Sequence, residues 1–314
     1  MPERPVLIGQ ADAWAKINLD LRILAREESG FHQLETIFQR IALSDHVDLR
    51  VRDGAGITLT CDMAVGVPEE QNLAWRAAAA YRHAAAWPQV DRAIDIVLTK
   101  RIPTGAGLGG GSADAGAVLR ILNALNPTPL ETGALLTVAA SLGADVPFLA
   151  TDCVRALAWG RGERMLALDP LPQRMVRYAT FRDGVSTALA YRELVAARAD
   201  GRLQSHGSRL HDLHGLGSWS DLQRQARNDF EVPVFALRPD IAAVHASMTA
   251  AAPSALVRMS GSGATVFAVT NMHGDEFQQA AGRWPSDGGV SLSLAATLES
   301  VPPVQILSAP SVPR

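Results

Sequence analysis

From residue 11 the chain alternates in character. Ala15, Ile17, Leu19 and Leu21 fall on one side, and Trp14, Lys16, Asn18 and Asp20 on the other. A period of two predicts a half-buried β-strand over 11–24. A lysine and an asparagine two residues apart on such a strand reach into the same space. A polar turn over 26–30 leads to a second predicted strand over 31–41. Alternation resumes over 47–62 as two short strands around Asp53-Gly54-Ala55-Gly56. The spacing then turns helical in an alanine-rich stretch from Gln71, opened by Asn72 as its cap and stopped at Trp87-Pro88.

An apolar strand over 93–98 runs into a glycine-rich segment, and helical spacing returns over 115–125. Asn126-Pro127-Thr128-Pro129 breaks the chain. A helix is predicted over 131–142 with Gly143 as its stop, and Asp145 followed by Pro147 carries an N-cap signature. Motif density drops near 165, which divides the chain into 1–165 and 166–300. Residues 195–225 are polar and irregular, and Asn228-Asp229-Phe230-Glu231 reads as a capped helix start. Met259-Ser260-Gly261-Ser262-Gly263 is a glycine turn entering an apolar strand. From Val301 prolines without periodicity predict an extended or flexible tail, 301–314.

Composition narrows the classes. With 314 residues, 47% apolar and 19% charged, the chain is globular and long enough for one large or two ordinary domains. A net charge of −3 supplies no general positive field for nucleic acid or an anionic membrane surface. Cys61 and Cys153 stand far apart outside any C-x-x-C pattern, as expected for reduced thiols of a cytoplasmic protein. No signal-like apolar region follows the N-terminus, and no run of about 18 uncharged apolar residues occurs. His206, His211 and His214 lack the cysteine or paired acids that would complete a zinc site, and read as part of a polar loop.

Chemistry concentrates in Ile102–Ala115, where a strand, a glycine loop and a helix N-terminus follow one another. Glycine lets main-chain N–H groups approach an anion, and the first helical turn adds unpaired donors and a positive dipole end. Ser112 fits an N-cap and can still face a phosphate. Gly105-x-Gly107-x-x-Gly110 also fits the dinucleotide fingerprint of an NAD-dependent oxidoreductase. That reading needs an acid ending a second strand about 20 residues on. Glu131 is the one acid near that distance, and it opens a helix. The P-loop pattern fails because no Lys-Ser/Thr pair follows the glycines.

The run from Pro103 to Ala115 resembles the central motif of the GHMP kinases, the small-molecule kinases of galactose, homoserine, mevalonate and phosphomevalonate. Ala15-Lys16-Ile17-Asn18-Leu19, Gly30-Phe31-His32, Leu142-Gly143-Ala144-Asp145-Val146-Pro147 and Met259–Gly263 resemble further motifs of that family in the expected order, across roughly residues 11 to 270. Gly30-Phe31-His32 narrows the likeness to the branch that phosphorylates the 2-hydroxyl of a methylerythritol carrying a cytidine diphosphate, in non-mevalonate isoprenoid synthesis. Two positions depart from the pattern: Phe31 stands for the usual Tyr, and Trp14 for the usual Pro.

The resemblance implies an α+β, two-domain fold. The N-terminal domain would be ribosomal-protein-like with a left-handed β-α-β crossover, the C-terminal domain ferredoxin-like, and the active site would lie between them. It implies ATP with Mg²⁺. Pro103, Thr104, Gly105, Ala106, Gly107, Leu108, Gly109, Gly110, Gly111, Ser112 and Ala113 would hold the phosphates, with Ser112 also toward the metal. Lys16 and Asp145 would be catalytic. Phe31 and Tyr191 would sandwich the cytosine, and His32 and Asn18 would bind polar edges. Asp114 near phosphates would need to face the metal or solvent. The implied partner is a small molecule, with no nucleic acid or membrane, in a monomer or homodimer. A homoserine- or mevalonate-type kinase would share the loop without using Gly30-Phe31-His32. A non-enzymatic RNA-binding module would share the N-terminal fold but sits badly with the acidic balance.

Overall fold

The computed structural model describes residues 4–26, 32–63, 66–89, 91–204, 214–271 and 289–307. Two sheets carry the molecule. The first is built around two long strands, β1 (Leu7–Arg26) and β2 (His32–Asp53), antiparallel along nearly their whole length. β3 (Ile57–Cys61), α1 (Leu73–Ala85) and β4 (Arg92–Thr99) follow as a parallel β-α-β unit. β4 lies between β2 and β3, so the two short strands expected around residues 53–56 do not pair with each other. The glycine loop then leads into α2 (Gly110–Leu125), α3 (Thr132–Ala140) and the short α4 (Val146–Leu149). β5 (Arg155–Gly160) and β6 (Arg164–Ala167) complete this half.

The second unit holds β7 (Met175–Phe181), α5 (Thr187–Ala199), α6 (Trp219–Gln225), α7 (Glu231–Leu237), α8 (Pro239–Ala251), β8 (Leu256–Met259), β9 (Val266–Thr270) and β10 (Val290–Ala296). Its antiparallel sheet runs β10-β7-β9-β8, the fourth-first-third-second order of a ferredoxin-like sheet. Period two divides β9 between two cores. Val266 and Ala268 face the helices α5, α7 and α8, while Phe267 and Val269 join the core of the first unit. A sheet buried on both faces reads as a continuous apolar run, which is what β9 is.

Three features sharpen the sequence reading. β1 is buried on both faces over residues 15–23, because the second unit covers the side that carries Lys16 and Asn18. The chain leaves the first sheet only after Ala167, the end of β6. The proline-bearing tail returns to that sheet: β11 (Gln305–Leu307) pairs antiparallel with β1 at Ile8–Gln10. Hydrogen bonding to an open edge orders residues that composition alone assigns to a tail. Among the described residues no helix is long and apolar enough to cross a membrane.

The edge of β2 positions the site. Residues 34–39 pair with β5 and residues 46–53 with β4, which leaves a gap between the two ladders at 40–45, bridged at Arg40 by main-chain bonds to Val154 and Leu298. Polar side chains occupy both ends of that gap. Arg40 donates to the carbonyls of Phe148, Thr151 and Cys153 and so clamps the end of α4. Asp45 accepts from the N–H groups of Arg101 and Ile102 and so clamps the start of the glycine loop. Burial lowers the Arg40 guanidinium to about 9, assisted by the charge of Arg120, and the three carbonyls take three of its five N–H groups.

α2 packs directly on the end of α4 through Gly116. A β-carbon there would lie 2.5 Å from the carbonyl carbon and oxygen of Leu149. Alanine normally stabilises a helix interior over glycine by about 1 kcal/mol. Here a backbone clash outweighs that gain, so G116A is expected to destabilise by about 1–3 kcal/mol. Urea unfolding of the variant checks the sign.

Candidate active site

Lys16 and Asn18 project from β1 beneath the two glycine loops. The Lys16 side chain is 4% exposed, and a buried ammonium needs partners for its N–H groups. Its Nζ donates to Asn18 Oδ1 at 2.7 Å and lies 3.2 Å from Asp145 Oδ2. The Phe38 ring, 5.6 Å from Nζ, supplies a negative π-face on a third side. Asp145 sits at the start of α4, yet its side chain makes no capping hydrogen bond. The N-cap signature therefore yields to the ion pair, and the carboxylate, 29% exposed, opens into a cavity of about 580 Å³.

That cavity runs between the two units. Pro103, Thr104, Gly105, Ala106, Gly107 and Gly109–Ser112 line it from the first unit, and Tyr191, Gly261 and Ser262 from the second. Leu108 and Ala113 pack their side chains into the core, which leaves only their main chain to the loop. Leu108 keeps a role through its main chain, where its carbonyl accepts from Lys16 N at 3.0 Å. Gly109, with φ +75°, is the residue before the helix, so Ser112 lies within the first turn rather than at the cap. The first-turn N–H groups of α2 have no intrahelical acceptor and border the cavity.

The two glycine loops are fastened together. Gly107 has φ +79°, and a β-carbon there would collide with the carbonyl oxygen of Ser260. Ser260 Oγ donates to Gly107 O at 2.8 Å, and Thr265 N donates to Ala106 O at 3.1 Å. A β-carbon on Gly261 would lie 3.6 Å from both Lys16 Nζ and Asn18 Oδ1, so the second loop closes over the lysine.

The segment read as a capped helix start has a larger part. Asn228 Nδ2 donates to the carbonyls of Met259 and Gly261, and Glu231 Oε1 accepts from Met259 N. The same segment joins β1: Leu21 N donates to Arg227 O at 2.7 Å, and Asp229 N to Leu21 O at 3.0 Å. Asp20 Oδ1 accepts from Arg227 N, and Asp229 Oδ2 from Ile23 N. Residues 227–231 thus tie the second glycine loop to the strand that carries Lys16.

Asp114, at the edge of the cavity, is turned away from bulk solvent. It is buried one turn into α2 and pairs with Lys100 Nζ at 2.6 Å, while Lys100 also contacts Asp45. Burial pushes the Asp114 carboxyl up to about 7, against the attraction of Lys100. Lys100 and Asp45 escape sequence reasoning because their spacing belongs to no motif. The available signal is a lysine at the mouth of the glycine loop.

A second cavity of about 1190 Å³ adjoins the first, sharing Leu34, Ala144, Thr187 and Tyr191 with it. His32 lies here, but flat on Tyr191, with ring centroids 4.6 Å apart and planes 22° apart. Phe230 meets Tyr191 edge-on at 4.9 Å. Burial, with the charge of Asp145, pushes the Tyr191 hydroxyl up to about 12. His32 thus presents a ring face to Tyr191, and its edge lies in the plane across that stack. Phe31, His206 and His211 fall outside the described residues. Asn72 caps α1 by accepting from Ala74 N, as its position suggests.

Comparison with known proteins follows the same lines. The model for the GHMP kinases N terminal domain matches residues 72–152, and that for the GHMP kinases C terminal matches 209–287. A 4-diphosphocytidyl-2-C-methyl-D-erythritol kinase from Synechococcus elongatus is 36% identical over 267 residues, 81% of this chain and 84% of the relative. The same-named protein from Moorella thermoacetica is 38% identical over 263 residues, 82% of this chain and 88% of the relative. A crystal structure of 4-(cytidine 5'-diphospho)-2C-methyl-D-erythritol kinase superposes with TM-score 0.64 at 33% identity, covering 91% of this chain and 98% of that one. A homoserine kinase structure from Cytophaga hutchinsonii, 18% identical with TM-score 0.67 over 97% and 98% of the two chains, shares the fold.

Glu231 supplies a test of how the second loop is held. Burial, offset in part by Arg258 and the Met259 N–H, raises its carboxyl from 4.5 to about 7. Between those values the folded chain keeps a proton that the unfolded chain has released, so stability falls as pH rises through the window. E231Q keeps an acceptor for Met259 N and carries no titrating proton. Its Tm relative to wild type is expected to rise from pH 4.5 to 7 and level off above; a difference constant with pH would contradict this. Both GHMP models match in order, and relatives at 36–38% identity span four-fifths of the sequence: the chain belongs to the 4-diphosphocytidyl-2-C-methyl-D-erythritol kinases of the GHMP kinase family.

Proposed function

We propose that the chain transfers the γ-phosphoryl group of ATP to the 2-hydroxyl of 4-diphosphocytidyl-2-C-methyl-D-erythritol. One observation carries this reading. The Lys16–Asp145 pair stands where a glycine-loop cavity meets an aromatic-lined cavity, so one face can hold a triphosphate and the other a flat base. Phosphoryl transfer asks the protein mainly for positioning and charge neutralisation. The loop N–H groups and the dipole of α2 suit phosphate oxygens. Mg²⁺ would arrive with ATP, and Ser112, which lines the cavity, would offer it a hydroxyl oxygen. When bound, the metal neutralises charge on the phosphates.

Asp145 accepts the proton of the attacking hydroxyl. Lys16, held between Asp145 and Asn18 at the wall of the cavity, offsets charge that develops on the transferred group. Tyr191 offers a stacking face to the cytosine, with Phe31 proposed opposite, and each stack is worth about 1–3 kcal/mol by analogy with nucleobase binding. His32, and Asn18 through the hydrogen-bonding capacity left after Lys16 and Thr36, would bind polar edges of the same ligand. The protein needs no nucleic acid or membrane partner for this chemistry, and we place it in the cytoplasm.

ATP consumption with the cytidylated methylerythritol, against the uncytidylated alcohol, homoserine and mevalonate, tests the assignment. Turnover confined to the cytidylated substrate is expected; a preference for any other acceptor overturns it. D145N and K16A are each expected to lower kcat by about 10²–10⁴-fold with the fold preserved by circular dichroism. F31A is expected to raise KM for the cytidylated substrate well above any change in KM for ATP.

A further inference from the structure

The buried lysine has a support that neither its motif nor its ion pair accounts for. Thr36, on β2 and 2% exposed, lies beside Asn18, on the same face of β2 as Phe38, the residue paired with Asn18. Its Oγ1 donates to the main-chain carbonyl of Asp20 at 2.7 Å. A carbonyl only accepts, and a threonine hydroxyl has one hydrogen. That hydrogen is committed to Asp20, so Oγ1 meets Asn18, 2.8 Å away, as an acceptor. Asn18 must then present its NH₂ to Thr36 and its Oδ1 to Lys16 Nζ, as observed at 2.7 Å.

We propose that Thr36 is a positioning residue for the phosphoryl transfer: its hydroxyl dictates which end of the Asn18 amide faces Lys16, and thereby holds the ammonium toward Asp145 and the cavity. Without it the amide can rotate and offer NH₂ to NH₃⁺, two donors with nothing between them. The effect falls on the step in which Lys16 meets developing charge and leaves nucleotide capture by the glycine loops untouched. The anchor is itself rigid, because Asp20 is tied through its side chain to Arg22 and to the main chain of Arg227. The arrangement makes the second unit part of the lysine's support, one hydrogen bond removed from Thr36.

This inference rests on the phosphoryl-transfer reading. T36V preserves shape and removes the hydroxyl; T36S keeps it. T36V is expected to lower kcat roughly 10-fold, about the rate equivalent of one buried hydrogen bond, with KM for ATP changed less than about twofold. T36S should recover most of that loss. The decisive arm is the double-mutant cycle with N18A: once the amide is gone, T36V should have no further effect on kcat. T36A enters the same cycle should T36V fail to fold. Wild-type kcat in T36V or T36A, or an undiminished loss in the N18A background, overturns the proposal. If K16A and D145N retained full turnover, the underlying reading would fail instead, so the two failures are separable.

Discussion

A buried ammonium beside a half-buried carboxylate is the constraint around which this molecule is arranged. Lys16 has almost no access to water, so its charge is tolerable only if acceptors are delivered to it from elsewhere in the chain. Asn18 comes from the same strand, Asp145 from the start of a four-residue helix, and the Phe38 face from the neighbouring strand. Each is held by a further group: Asn18 by Thr36, and the far end of α4 by Arg40. Losing any one leaves a charge or a dipole buried without a partner.

The two units meet at this point rather than merely abutting. The glycine loops interlock through Ser260 and Gly107, where glycine is required both by φ and by the approach of a carbonyl. Residues 227–231 bind the second loop and β1 at once. The cavity between the units therefore has walls from both, and displacing either wall would expose Lys16. The shared packing of β9, with alternate residues in the two cores, gives the arrangement its apolar backing.

Much of the site was readable in the linear chain. Alternation in β1 put Lys16 and Asn18 on one face, and glycine spacing marked the loop that borders the cavity. Local signals failed where a distant group outcompeted them. Asp145 has every mark of a helix cap, yet its carboxylate turns to Lys16, which no local pattern reveals. Asp114, expected to be awkward near phosphates, is neutralised by Lys100 before it can meet them.

Periodicity, turn residues and the order of motifs were enough to specify the elements, the two-unit division and the family, because these rest on interactions within a few residues. The partners of the charges were not specified in that way. Thr36, Arg40, Asp45 and Lys100 acquire their roles from partners distant in sequence that fold against them. The aperiodic tail likewise became a strand only because β1 had an open edge to fill. Long-range hydrogen bonding and desolvation set these outcomes, and both depend on which segments lie together after the chain has folded.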